Sequence, residues 1–174
     1  MPDRTDTFYP ATGAIHGYGA QLLVSNGAAT PVYEAIAGIV SMTPGDMSTE
    51  DIDRTHLRSP DAHREHMAGL RNSGPISCAM IWLPTEPSQS NAGGGTGAFT
   101  SGGLIAMWRG RKAHDFKIVL NDGDPLATPT PIEPTEWPFN GYVSKFQPGE
   151  IGAETKIDAT VEFQPTQAYD ADLP

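Results

Sequence analysis

The chain has 174 residues and a formal net charge of −10, with 21 acidic and 11 basic side chains and one cysteine. This length suits one domain spanning residues 1–174, and the acidity argues against nucleic-acid binding, which needs cationic groups to displace counterions from phosphate. A lone cysteine cannot form an internal disulfide, and no signal peptide or membrane-spanning run is visible, so we expect a soluble protein folded in the cytoplasm.

The first part of the chain predicts short strands separated by turns, as nineteen glycines and sixteen prolines indicate. Residues 1–19 form an N-terminal arm with little core of its own. Gln21–Ser25 is a strand candidate, and Asn26-Gly27 is a hairpin signal. Residues 32–42 alternate loosely, and Gly38 indicates a bend or bulge in the middle of this run.

Residues 46–74 are a long polar segment, and a structureless loop of this length is uncommon in a compact domain unless it has a function. Single helical turns are conceivable after Ser48 and after Asp61, but neither has a long apolar stripe. His56, His63 and His66 could in principle bind zinc. Their spacing does not match H-E-x-x-H, so we favour a solvated polar loop without a metal.

The following stretch couples a turn to the most hydrophobic strand candidate. Gly69 and Gly74 bracket four residues as a tight turn that uses positive φ angles. Residues 76–83 then predict a strand that is buried on both faces. Cys78 lies inside that strand and is expected to be a core residue without redox or catalytic function.

Residues 85–100 are rich in Ser, Gly and Asn and predict a flexible loop. A phosphate-binding loop would need G-x-x-x-x-G-K-[ST], and no lysine or arginine occurs between Arg71 and Arg109. Residues 101–109 predict the one good helix, with Ser101 as its N-cap and Gly110 as its end.

The last third predicts three strands and a proline-rich insertion. Residues 115–120 form the first strand, residues 124–138 are the insertion, and residues 137–147 and 155–163 form a final pair. Apolar and polar residues alternate cleanly along the last strand, which is typical of one buried and one wet face. Residues 166–174 are a mobile tail. The predicted fold is mainly β, a two-sheet β-sandwich with one short α-helix.

The order of several motifs resembles a known family. These motifs are an aspartate-x-threonine run at residues 53–55, a G-L-x-x-x-G turn at 69–74 and a core strand after it, with M-T-P-G at 42–45 before them and F-N-G-Y-V-S at 139–144 later. The arrangement resembles the tail tube proteins of long-tailed, lambda-like bacteriophages and of phage-like gene transfer agents, over roughly residues 20–165. The proline-rich insertion departs from the simplest family pattern.

The resemblance implies a structural subunit of stacked hexameric rings that form a tail tube, the conduit for DNA delivery. It implies partners as well: further copies of the chain, a tape measure protein, a tail terminator and a distal tail protein, with DNA passing without specific binding. The long segment is expected to be the assembly loop, with Asp53, Thr55, Leu57, Met67, Leu70 and Arg71 as its contact residues. The lumen-facing residues are expected to be Glu154, Asp158 and Glu162.

Two other function classes compete with a structural subunit. Nucleophilic catalysis has little support, because Cys78 lies in a strand and no G-x-S-x-G motif occurs. We therefore expect no enzyme, no cofactor and no metal, and location in the tail of a virion or phage-like particle. The alternative is a carbohydrate- or protein-binding β-sandwich, which composition and strand spacing fit equally well.

Overall fold

The computed structural model describes residues 17–56, 63–93, 95–123, 133–152 and 156–166. The elements within these ranges are β1 (Gln21–Ser25), β2 (Tyr33–Ala35), β3 (Ile39–Thr43), β4 (Met47–Asp53), β5 (His66–Ser73), β6 (Ile76–Ile81), a 3₁₀ turn (Gly97–Phe99), α1 (Leu104–Gly110), β7 (His114–Val119), β8 (Glu136–Pro148) and β9 (Asp158–Pro165). The predicted mainly β, two-sheet fold with one short helix is confirmed.

The larger sheet has seven strands in the order β2-β1-β7-β8-β9-β6-β3, so its two edge strands are consecutive in the sequence. In a flat sheet those edges would lie about 29 Å apart at ~4.8 Å per strand. The chain from Ala35 to Ile39 spans at most about 15 Å at ~3.8 Å per residue. The sheet must therefore curl until its edges approach each other, and its inner face encloses the core.

Buried polar side chains hold the sheet closed at this link. Gln89 is fully buried, and its Nε2 donates to the carbonyl oxygens of Ala37 at 2.8 Å and Ile81 at 3.0 Å, while its Oε1 accepts from the Leu83 N–H at 2.7 Å. The neighbouring Ser88 Oγ accepts from the Ala37 N–H at 3.2 Å. The Ser/Gly-rich loop was predicted to be flexible, and this is wrong for the part around Gln89, which is packed into the body.

Three aromatic rings fill the centre of the core. The ring centroid of Phe116 lies 5.3 Å from that of Phe139 and 5.0 Å from that of Phe163. Alternate residues of β9, including Ala159 and Val161, point into the same core and are buried. The predicted alternation of the last strand is therefore confirmed, and its other face is left for polar side chains.

The most hydrophobic strand, β6, is buried on one face only. Ile76, Cys78 and Met80 are almost completely buried, but Ala79 between them is exposed. The prediction of burial on both faces is wrong, because on the second face Ala79 is exposed and Ser77 and Ile81 are only half-buried, so the described residues cover this face only in part.

Helix α1 begins three residues later than the sequence predicted. Gly103 is the N-cap, without a side-chain cap, and the first free N–H groups are bound by a turn instead: the Leu104 N–H donates to the Ser88 oxygen at 2.9 Å. Ser101 is therefore not needed as a cap. The helix includes Gly110 and ends at Arg111, whose φ of 50° is left-handed. Leu104 and Met107 are buried, and the helix packs against β8.

Three predicted segments lie wholly or mainly outside the described residues. These are the N-terminal arm up to residue 16, residues 124–132 of the proline-rich insertion, and the tail from residue 167 onward. The described end of the insertion, Glu136–Pro138, already belongs to β8.

Candidate assembly interface

The predicted assembly loop is a β-hairpin, which we call the β4–β5 hairpin. Its strands pair antiparallel from Met47↔Ser73 to Asp53↔His66, with a bulge between Thr49 and Asp51, and they form a two-stranded sheet of their own. Every residue of β4 is exposed. An isolated two-stranded hairpin is marginally stable in water, so this element needs support from a partner surface.

A glycine in β5 allows the two strands of this hairpin to lie close together. Gly69 was predicted to begin a tight turn, but it lies inside β5, where an added Cβ would meet Ile52 Cδ1 at 3.0 Å and Glu50 Cβ at 3.1 Å. Gly74 follows β5, and its N–H donates to the Asp46 oxygen at 2.7 Å. Neither glycine has a positive φ, so the predicted turn is wrong. Gly69 contacts β4, which is separated from β5 in the sequence, so the residues around Gly69 could not by themselves predict this contact.

One face of the β4–β5 hairpin carries exposed apolar side chains. Ile52 lies directly opposite Met67, and both side chains are among the exposed apolar ones. Met47, and Arg71 opposite Thr49, belong to the other face, because residues 47 and 49 lie an odd number of positions from Ile52 along β4. Apolar side chains displayed together on an unsupported hairpin favour burial against another protein surface. The predicted contact residues Met67 and Arg71 therefore lie on opposite faces of the hairpin.

The opposite face of the hairpin is charged. The His66 Nδ1 lies 2.8 Å from the Asp51 Oδ2, and both side chains are about half exposed or more. The predicted contact residue Leu70 lies at the irregularity in the pairing of β5 with β4 and is 80% exposed.

Asp53 and Thr55 hold the outer end of the hairpin. The Asp53 carboxylate accepts from the Thr55 N–H at 2.8 Å, and Thr55 Oγ1 accepts from the Glu65 N–H at 3.1 Å. The Arg54 N–H donates to the Glu65 oxygen at 2.7 Å, which extends the ladder beyond the strands. The hydrogen bonds from Thr55 lower the pKa of Asp53. The aspartate-x-threonine motif thus ties the strand ends together. Leu57 lies outside the described residues.

The predicted lumen-facing acids Asp158 and Glu162 lie on the outward face of β9, away from the core. The Asp158 Oδ1 is 3.2 Å from the Lys156 Nζ, and the Glu162 Oε1 is 3.1 Å from the Lys145 Nζ on β8. Each acid is therefore beside a lysine, and the charge of this patch is close to balanced. Lys156 could be linked to Asp158 by proximity in the sequence, whereas Lys145 could not, because the register of β8 with β9 decides that contact. Glu154 lies outside the described residues.

Metal-binding clusters do not form in the described part of the chain. Within it, no group of three or more His, Cys, Asp or Glu side chains could hold a metal ion. Burial raises the pKa of the Cys78 thiol to about 12, so its nucleophilic thiolate is scarce at neutral pH. No helix among the described residues is long and apolar enough to cross a membrane.

The chain is similar to known tail proteins. Residues 18–101 match a family model described as "Lambda phage tail tube protein, TTP". This range contains the whole β4–β5 hairpin. No curated protein sequence matches the chain.

Solved structures share the fold at low sequence identity. A chain from the virion of a native gene transfer agent particle is 14% identical, with a TM-score of 0.62 and coverage of 91% of this chain and 100% of that one. A chain from the tail of an empty gene transfer agent particle is 14% identical, with a TM-score of 0.60 and coverage of 90% and 97%. The SPP1 tail tube is 14% identical, with a TM-score of 0.53 and coverage of 88% and 77%. The resemblance to tail tube proteins is confirmed, and it supports a tube-forming structural subunit.

Proposed function

Since the chain matches a lambda phage tail tube protein model and has a tail tube fold, we propose that it forms stacked hexameric rings that build the tail tube of a phage or gene transfer agent. The tube is the conduit through which DNA reaches the host cell. The observation that carries the proposal is the family match over residues 18–101, which includes the exposed β4–β5 hairpin.

The hairpin supports assembly on physical grounds. Ile52 and Met67 lie opposite each other on an exposed face of a two-stranded sheet. Burying the exposed part of each side chain, 38% of Ile52 and 45% of Met67, against a neighbouring subunit would contribute about 0.6 to 1.4 kcal/mol per side chain. Because every subunit presents the same hairpin, the contact repeats around a ring or along a stack and adds up over many copies. We assign Asp53 and Thr55 to the outer end of this assembly element, and we propose Leu57 as a further contact residue.

Sixfold symmetry is proposed from a relative. One similar structure is the tail of an empty gene transfer agent particle with C6 symmetry. A hexameric ring of this chain would carry about −60 formal charges, six times the −10 of one subunit. On the proposed lumen face Asp158 and Glu162 each pair with a lysine, so neither lysine presents phosphate with an unpaired cation, and DNA can pass without specific contacts. Asp158, Glu162 and Glu154 are proposed to face the lumen.

The proposed partners are further copies of the chain and the proteins that begin and end a tube. Another similar structure is the sheath/tube terminator of an extracellular contractile injection system. By analogy, we propose a tail terminator, a distal tail protein and a tape measure protein as partners. The matched family is a structural one, and we propose that the chain has no catalytic activity. We also propose that it is made in the bacterial cytoplasm and incorporated into particle tails.

Electron microscopy of the purified protein at high concentration tests the proposal. Rings with sixfold symmetry, or stacks of such rings, are the expected result. A homogeneous monomer that forms neither, even when it is mixed with preformed tails as a template, would overturn the assignment.

A further inference from the structure

A large apolar groove lies beside the free edge of β3, and its lining contains no residue of the β4–β5 hairpin. Its volume is about 880 Å³, and its apolar lining includes Val40, Met42, Leu120 and Trp137. Leu120 and Trp137 also pack against the core, so the groove opens directly onto the interior of the curled sheet. Covering an apolar surface of this extent with another group lowers the free energy of the protein in water.

The strand beside the groove has one edge that no described strand pairs with. β3 is the last strand of the seven-stranded sheet and pairs only with β6 among the described strands. Val40 is 58% exposed and lies at an irregularity in the register with β6. Backbone groups on a free edge can pair with an added strand. The groove thus offers both hydrogen-bonding groups and an apolar surface.

The described chain begins at the groove itself. Gly17 and Tyr18 belong to its lining, and Tyr18 is 89% exposed. A turn reverses the chain here: the Ala20 N–H donates to the Gly17 oxygen at 3.3 Å, and Gly19 has a φ of 87°. Asn121 Nδ2 donates to the Tyr18 oxygen at 3.3 Å and ties this turn to the end of β7. Residues before Gly17 are therefore attached at the groove.

We propose that the groove is the docking site for the apolar part of residues 1–16 of the same chain, which adds a strand to the free edge of β3. The segment contains Phe8, Tyr9 and Ile15, side chains suited to an apolar groove. Covering the five residues of β3 takes about 17 Å of extended chain, which five of the sixteen residues supply.

Attachment favours this occupant over a second copy of the protein. A segment tethered at the groove has an effective concentration in the millimolar range, which a separate molecule rarely matches. The proposal does not depend on tube assembly, because it concerns a contact within one subunit. It can therefore fail while the proposed function stands, and the reverse also holds.

Photo-crosslinking in the full-length protein tests the contact. Phe8 is replaced by p-benzoylphenylalanine, and isotopically labelled and unlabelled chains are mixed, irradiated and analysed by mass spectrometry. We expect crosslinks within one chain to residues 39–44, 118–120 or 137. Crosslinks between labelled and unlabelled chains would show that a second copy occupies the groove, and crosslinks elsewhere or none would also overturn the proposal. The same photoreactive residue in place of the exposed Ile151 is the control and should not reach the groove.

Hydrogen exchange gives a second, independent measurement. Phe8→Ser combined with Tyr9→Ser removes the proposed apolar contacts and should accelerate amide exchange in β3 by about tenfold or more, because the strand edge opens locally. Val32→Ser, at an exposed site away from the groove, should leave exchange in β3 unchanged. Equal exchange in all three proteins would overturn the proposal.

Discussion

The Lys145 ammonium lies 3.1 Å from the Glu162 carboxylate, across the pairing of β8 with β9 on the outward face of the sheet. Lys156 and Asp158 form a similar pair at 3.2 Å. Exposed ion pairs of this kind contribute about 0 to 1 kcal/mol to stability. Their charges can therefore be changed with little effect on folding, so substitutions on this face can test whether it lines the lumen.

The first prediction concerns DNA delivery. Asp158→Lys combined with Glu162→Lys replaces two paired acids by cations beside Lys156 and Lys145. We expect normal tubes but slowed or blocked delivery, because unpaired cations in the bore would bind phosphate. Delivery is measured as the transfer of a marker gene by particles that carry the variant.

A charge swap is the matched control for this experiment. Lys145→Glu combined with Glu162→Lys keeps the pair and the net charge, and delivery should stay close to that of the unmodified protein. Normal delivery by the first variant, with normal tubes, would contradict the assignment of this face to the lumen or the importance of its charge.

The second prediction concerns the β4–β5 hairpin. Ile52→Ser combined with Met67→Ser should abolish tubes or raise the concentration needed for assembly by about tenfold or more, since the exposed part of each side chain is worth about 0.6 to 1.4 kcal/mol at an interface that repeats in every subunit. The melting temperature of the monomer should fall only modestly, because 38% of Ile52 and 45% of Met67 are exposed in it. Sedimentation and electron microscopy measure assembly.

Val32→Ser combined with Ile151→Ser controls for the loss of exposed apolar surface in general. Both residues are exposed and lie outside the hairpin. If this control loses assembly and the hairpin variant does not, the hairpin is not the contact.

The third prediction concerns Cys78. Burial raises the pKa of its thiol from 9.0 to about 12, so only about one thiol in ten thousand is ionised at pH 8. Thiol-reactive dyes should label the native protein very slowly and the unfolded protein quickly. Cys78→Ala should cost about 1 to 2 kcal/mol of unfolding free energy and leave assembly intact. Rapid native labelling would mean that β6 is not buried as described.

The same thiol gives a dependence of stability on pH. The folded-state pKa is raised, so the unfolded state loses this proton first as the pH increases. The contribution of Cys78 is fully present below pH 9.0 and is lost between pH 9.0 and about 12. Cys78→Ala should therefore unfold with a weaker pH dependence in this window, as measured by urea titration at several pH values.

The fourth prediction concerns Gln89. Gln89→Leu leaves the Ala37 and Ile81 oxygens and the Leu83 N–H without this partner in a buried site. Unsatisfied buried groups cost about 1 to 3 kcal/mol each, so we expect the free energy of unfolding, measured by urea titration, to fall by about 3 kcal/mol or more. Gln164→Leu removes a single, longer bond of 3.4 Å to the Ser73 oxygen and should cost much less. Equal losses would show that Gln89 does not hold the curled sheet closed.

Local patterns were sufficient for elements that have one buried face. Ala159, Val161 and Phe163 alternate with polar residues, and this alternation alone predicts β9 and the direction of its side chains. The motifs around Asp53 and Gly69 indicated the tail tube family, because their order along the chain resembles it, and the matched family model covers both motifs. The alternation of buried and exposed side chains along a strand is visible in neighbouring residues, so the sequence predicts it directly.

Pairing between distant segments was decided only in the tertiary structure. Every residue of β4 is exposed, so β4 has no apolar alternation that would predict a strand. Its partner β5 begins only at His66, well after β4 ends at Asp53. The contact of Lys145 with Glu162 depends on a register shift between β8 and β9, and the bonds of Gln89 depend on the curl of the whole sheet. Registers and curvature arise from long-range packing, and no local run of side chains encodes them.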